Sequence, residues 1–214
     1  MEHHMMETKP DNPVNIALGM PKAKEFERDL TAMLVAEEGV VLVMQDCDCF
    51  IRVNDKFGRE EGDRVLVETG KHVAASVPSD AKVYRYGGDA FAVIFPATYE
   101  KEDVFLLMEK LRASYDVTLP DGDKMTISIG ISAAPEDASQ YNELVRKAEG
   151  AMCRGKVAGR NKVCLAREEK MVVKTTHYTM DQLQRLTKLS RREGTSEAIL
   201  LREALDGLLK KYDV

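Results

Sequence analysis

Apolar and polar positions alternate along this chain in two periods, and the changes between them mark out the elements. Val40–Met44 is a continuous β-rich apolar run, read as a buried strand. Polar residues take over at Gln45-Asp46-Cys47-Asp48-Cys49-Phe50, so carboxylates stand at the strand's end. From Glu61 to Val77 the apolar residues Val65, Leu66, Val73 and Val77, with Thr69, repeat at helical spacing. Val83–Tyr86 and Phe91–Phe95 are short strand-like runs around Gly87-Gly88-Asp89-Ala90, the pattern of a hairpin. Lys101–Tyr115 is helical in pattern, and the turn Pro120-Asp121-Gly122-Asp123 follows it. Met125–Ala133 alternates as a strand, Tyr141–Ala158 is an amphipathic helix stopped by Gly159, and Lys162–Leu165 is a last short strand. This order contains the β-α-β-β-α-β plan and predicts an α+β fold around a central, largely antiparallel sheet.

Beyond Arg167-Glu168-Glu169-Lys170 the pattern changes. Val172–Tyr178 reads as a lone strand with no later strand to pair with, followed by helices over Asp181–Glu193 and from Thr195-Ser196-Glu197 to Tyr212. One strand and two helices in so short a stretch cannot close a core alone, so a dimer pairing two such strands is expected. The predicted division is a tail over 1–13, a larger domain over 14–168 and a small module over 169–214.

Charge sharpens that boundary. The 214 residues hold 31 Lys+Arg against 36 Asp+Glu, a net charge of −5, which argues against a uniformly basic nucleic-acid surface. From Lys170 onward, however, nine basic residues face six acidic ones. The small module is therefore basic and the remainder acidic, as expected of two modules with different partners. No apolar run approaches the roughly 20 residues of a membrane span, and Met1–Asn12 lacks a signal peptide's apolar core. A cytoplasmic protein without membrane contact is expected. Cys47, Cys49, Cys153 and Cys164 are too scattered for a disulfide framework or zinc site.

Two carboxylates at a strand end, beside a glycine tip with a third, suit a divalent cation and phosphates. Glycines let backbone N–H groups approach phosphate oxygens, and Lys156 and Arg160, four apart, add positive charge on one helix face. Here the chain resembles the GGDEF-type diguanylate cyclases over about 15–165. The motifs that carry the likeness are Asp46-Cys47-Asp48-Cys49-Phe50 with Asn54-Asp55 and Gly62-Asp63, then Arg85-Tyr86-Gly87-Gly88-Asp89-Ala90-Phe91. Thr126-Ile127-Ser128-Ile129-Gly130 and Ala148-Glu149 through Lys156 to Asn161 follow in order. The resemblance implies a nucleotidyl-cyclase, palm-like fold and a site for GTP or another guanine nucleotide with Mg²⁺. By position, Asp46 and Asp48 would be metal ligands, and Asn54 and Asp63 would bond the guanine edge. Phe50, Gly87 and Gly88 would border the nucleotide, Asp89 would be the acid near the attacking hydroxyl, and Lys156 and Arg160 would hold phosphates.

The pattern also departs from the family. Its fourth signature position is normally Glu, a second metal ligand, and here it is Ala90; the Lys usual after the first segment's Phe is Ile51. The early activation motif around Asn15–Ala23 lacks its usual Asp and Arg, and Pro78-Ser79-Asp80-Ala81 has no Arg-x-x-Asp inhibitory site. A missing carboxylate weakens metal binding and charge neutralisation at phosphorus, so a nucleotide-binding domain with weak or absent turnover is expected.

The C-terminal module, especially Arg192-Glu193-Gly194-Thr195-Ser196 through Ala204, resembles the ribbon-helix-helix family of DNA-binding dimers. Its paired strands would enter the major groove of double-stranded DNA, with Thr175 and His177, and Val173, facing bases. Thr195 and Ser196 would start the second helix, where backbone N–H groups grip a phosphate. Three readings stay open: a homodimeric, guanine-nucleotide-responsive transcriptional regulator; an active diguanylate cyclase dimerised by its C-terminal module; and a dimeric scaffold without DNA.

Overall fold

The computed structural model describes residues 12–167, 175–193 and 196–212. They fall into two compact units, Met1–Glu168 and Glu169–Val214.

The first unit is built on a sheet of five strands: β1 (Val40–Cys47), β2 (Lys82–Gly87), β3 (Ala90–Pro96), β4 (Ile127–Ala134) and β5 (Val163–Leu165). Their spatial order is β2-β3-β1-β4-β5. The β1–β3, β1–β4 and β2–β3 pairs are antiparallel and β4–β5 is parallel, so the expected largely antiparallel sheet is present. The central strands β1 and β4 are buried at every position because helices cover both faces. Side-chain alternation divides the core in two. Val41, Val43, Phe91, Val93 and Ile129 pack with α4 (Arg59–Ser76) and α5 (Lys101–Ala113) through Val65, Val73, Val104 and Met108. Leu42, Met44, Ala92 and Ile94 pack with α2 (Ala23–Val35) and α6 (Tyr141–Val157) through Phe26, Leu30, Leu144 and Met152.

Gly130 lets α6 lie against β4: a Cβ there would sit 1.9 Å from the Ala148 carbonyl oxygen, a distance no side chain tolerates. Ser132 Oγ, on the same strand face, donates to the Leu144 carbonyl at 2.8 Å. Lys156 is thereby carried to the end of the sheet where β1 delivers its carboxylates.

Three helices go beyond the pattern read from the sequence: α1 (Pro13–Leu18), α2, and α3 (Phe50–Phe57). Asn12 caps α1 by accepting from Val14 N at 2.9 Å, with proline in the first helical turn. Helix α3 starts directly from Cys49, whose backbone is left-handed (φ 57°), and this turn swings the chain off β1. Among the described residues no helix is long and apolar enough to cross a membrane.

The second unit contains α7 (Met180–Glu193) and α8 (Glu197–Lys211). Thr179 and Gln182 form a reciprocal cap on α7: Thr179 N donates to Gln182 Oε1 at 2.9 Å and Gln182 N to Thr179 Oγ1 at 3.2 Å. The strand expected over 172–178 differs from the structure. Its described residues, 175–178, lie in no strand and are exposed, and residues 172–174 lie outside the described residues. A ribbon needs a second strand to take its backbone N–H and C=O groups, and a single copy offers none.

Candidate functional site

The candidate site gathers at the carboxyl end of β1. Asp46 is the last of that strand's residues to face α6, and it is 2% exposed. Its register partners are Ala90 on β3 and Ser128 on β4, so its neighbours across the sheet are a methyl and a hydroxyl. Its carboxylate instead meets Lys156, whose Nζ lies 2.7 Å from Asp46 Oδ1. Burial opposes the Lys156 ammonium, but the charge and hydrogen bond of Asp46, with the charges of Asp89 and Asp48, outweigh it and raise its pKa.

Asp48 is held differently. Its Oδ1 accepts from Ser128 Oγ at 2.7 Å, while Oδ2 accepts from Thr126 Oγ1 at 2.7 Å and from the Asn161 backbone N–H at 3.0 Å. One buried carboxylate thus fastens the end of β1, the start of β4 and the turn after α6. That turn places Arg160 and Asn161 in succession in the left-handed region, at φ 61° and 49°, which for residues with a Cβ needs external support. Arg160 N donates back to Gly155 and Lys156 carbonyls at 3.0 and 3.2 Å, so the two basic candidates sit on one helix end.

The hairpin tip stands opposite. Gly87 and Gly88 are exposed and Asp89 is half-buried; the Asp89 carbonyl accepts from Cys47 N at 3.4 Å. Arg85 braces the tip, its Nη2 donating to the Gly88 carbonyl at 2.6 Å. Burial lowers the Arg85 pKa, with the charge of Asp63 on α4 acting in the other direction. On α3, Asn54 packs its side-chain oxygen over Gly62, where a Cβ would approach to 2.0 Å. Phe50 lies over the same glycine, 3.1 Å from that position. Asn54, Phe50 and Asp63 therefore share the α3–α4 junction.

All the nucleotide-site candidates fall on the end of the sheet, the α3–α4 junction, the hairpin tip and the end of α6. Thr126, Ser128 and Asn161, which hold Asp48, and Arg85, which braces the tip, stood within the quoted motifs without an assigned role. Of the C-terminal candidates, Thr175, His177 and Ser196 are exposed, while Val173 and Thr195 lie outside the described residues.

The side chains a metal would meet here are already engaged. Asp48 has both oxygens engaged by three donors, Asp46 is paired with an ammonium, and position 90 offers a methyl. Among the described residues, no three His, Cys, Asp or Glu side chains are grouped to hold a metal ion. Cys47, between the two carboxylates in sequence, is buried, and burial pushes its thiol up to about 12.

Comparison with known proteins places this geometry. The family described as Diguanylate cyclase, GGDEF domain, matches residues 23–162. The Response regulator PleD of Caulobacter vibrioides is 34% identical over 130 residues, covering 58% of this chain and 28% of that protein. Diguanylate cyclase A of Treponema denticola is 32% identical over 135 residues, covering 61% of this chain and 36% of that protein. The chain thus spans well under half the length of these relatives. Among solved structures, the GGDEF domain of PA1120 (YfiN or TpbB) from Pseudomonas aeruginosa matches with a TM-score of 0.65 at 28% identity, covering 71% of this chain and 99% of that one. The coiled coil and GGDEF domain of DgcB from Caulobacter crescentus, solved in complex with c-di-GMP, shares the fold at a TM-score of 0.63 and 23% identity, covering 70% of this chain and 83% of that one. The chain belongs to the GGDEF diguanylate cyclase domain family.

Proposed function

We propose that this protein is a guanine-nucleotide-responsive, DNA-binding transcriptional regulator whose GGDEF domain binds nucleotide with weak or absent turnover. The observation that carries the first half is the position of Ala90 directly across from Asp46, where the family's Glu would stand. Losing that carboxylate removes charge stabilisation worth on the order of 10²–10³ in rate for a single well-placed group. Asn54, Asp63, Lys156 and Arg160 are all kept, which supports continued binding of the base and phosphates. Asp89 keeps the acid position beside the tip.

The second half rests on the basic C-terminal segment and its likeness to ribbon-helix-helix dimers. Helices α7 and α8 leave Leu183, Leu205, Leu208, Leu209 and Tyr212 exposed in a single copy, surface that a homodimer would cover. In that dimer Thr175 and His177, with Val173, would face DNA bases, and Thr195 and Ser196, ahead of α8 in sequence, would hold a phosphate. Two nucleotide domains tethered to one dimer are at high effective concentration, so a nucleotide preferring one arrangement of them would bias DNA binding.

The likeness to Diguanylate cyclase A of Treponema denticola keeps a second reading in play, an active cyclase dimerised by its C-terminal module. One experiment separates them. Fluorescence anisotropy of the full chain on duplex promoter DNA, at two salt concentrations and with or without GTP, should show affinity that falls with salt, because the counterions that binding releases gain less in concentrated salt, and that moves with nucleotide. Absence of DNA binding, together with cyclic di-GMP formation from GTP, would favour the cyclase.

A further inference from the structure

We propose that the phosphate pocket at the end of β1 takes its guanine nucleotide without a divalent cation, the Lys156 ammonium supplying the positive charge at Asp46. This rests on the reading of the cleft as a guanine-nucleotide site, and it adds how the site handles charge.

Three observations carry it. First, Asp46 is nearly fully buried, and the residues paired with it across the sheet, Ala90 and Ser128, bring no second carboxylate. A cation entering at Asp46 would meet a carboxylate already paired with Lys156 at 2.7 Å. Second, Asp48 has both oxygens occupied, and one of its donors is the Asn161 backbone N–H in the turn that carries Arg160. Turning Asp48 toward a metal would break the bond that supports two successive left-handed residues. Third, Lys156 is only 22% exposed in its side chain and feels Asp46, Asp89 and Asp48 together. A divalent ion at Asp46 would sit beside a half-buried ammonium of like charge.

The same arrangement suits phosphate directly. An ammonium has three N–H donors; one goes to Asp46, and the others suit phosphate oxygens, with Arg160 in the turn that follows α6. Hydrogen bonds of charged donors to phosphate are the strong kind, so binding survives without a bridging ion.

The test is a fluorescence titration of the full chain with a methylanthraniloyl derivative of GTP, in excess Mg²⁺ and in EDTA. The expected result is saturable binding in both, with dissociation constants less than about tenfold apart, or about 1.4 kcal/mol. Binding seen only with Mg²⁺ overturns this inference and leaves the nucleotide site standing; binding in neither condition removes both. Ala90→Glu, which restores an acid opposite Asp46, should make binding tighter in Mg²⁺ than in EDTA by more than about tenfold. If that variant folds and stays indifferent to Mg²⁺, the missing carboxylate is not the cause and the inference falls.

Discussion

Asp48 accepts the backbone N–H of Asn161 at 3.0 Å, joining the end of β1 to the turn that bears Arg160. With Thr126 and Ser128 also donating to it, this carboxylate acts as a clamp. Asp48→Asn replaces one accepting oxygen by an amide donor facing donors. A buried donor left unsatisfied costs about 1–3 kcal/mol. The variant should melt lower by roughly 4–8 °C for a loss of about 2 kcal/mol in a chain of this size, read by circular dichroism. A variant that melts with the parent would mean that Asp48 is not structural.

Lys156 and Asp46 should depend on one another. Lys156→Met takes the ammonium away from a buried carboxylate, and breaking one side of such a pair costs about 3–5 kcal/mol. Asp46→Asn in the Lys156→Met background removes that buried charge and should recover much of the loss. Urea unfolding of the two single variants and the double variant measures the coupling; additive losses would contradict the pairing.

Much of this architecture could be read from local pattern, and what escaped did so for definite reasons. Val40–Met44, the hairpin around Gly87-Gly88 and the helix ending at Gly159 announce themselves within a few residues. Helix α2 also carries a stripe, with Phe26 and Leu30 wholly buried, but Lys22 caps it without the usual Ser, Thr, Asp or Asn signal. Helix α3 begins from a left-handed cysteine, a conformation that no residue type there advertises. The strand expected over 172–178 is not formed at its described residues, 175–178, because a strand-like pattern with no second strand beside it leaves its backbone groups unpaired.

The bonding of the candidate site was opaque in the sequence. Asp46, Asp48, Lys156 and Arg160 stand out by type and spacing, while Asn54 and Asp63 are candidates only through the family resemblance. That Asp48 would turn to Thr126 and Ser128, and Asp46 to Lys156, joins residues 78, 80 and 110 positions apart. Local periodicity carries no information over such separations. Only the packing of α6 on Gly130 brings Lys156 within reach.

Stability should fall in alkali through Cys47. Burial raises its folded pKa to about 12, against about 8.5 in an unfolded chain. The folded state therefore holds the proton more tightly, so this stability is complete below pH 8.5 or so and is lost as pH rises toward 12, with a slope of up to about 1.4 kcal/mol per pH unit. Tyr141, also pushed up to about 12 by burial, adds to the loss above about pH 10. Urea unfolding at pH 8 and pH 10 should show Cys47→Ala losing less stability than the parent over that interval. Equal losses would assign the alkaline transition to other groups.

Isothermal titration calorimetry of the full chain with GTP tests most directly whether this GGDEF domain still holds a guanine nucleotide. Saturable binding at one site per chain is expected, weakened by about 1–3 kcal/mol in Asp63→Ala, which removes an acceptor for the guanine edge. Absence of binding at millimolar GTP, or the same affinity with and without the Asp63 carboxylate, would contradict it.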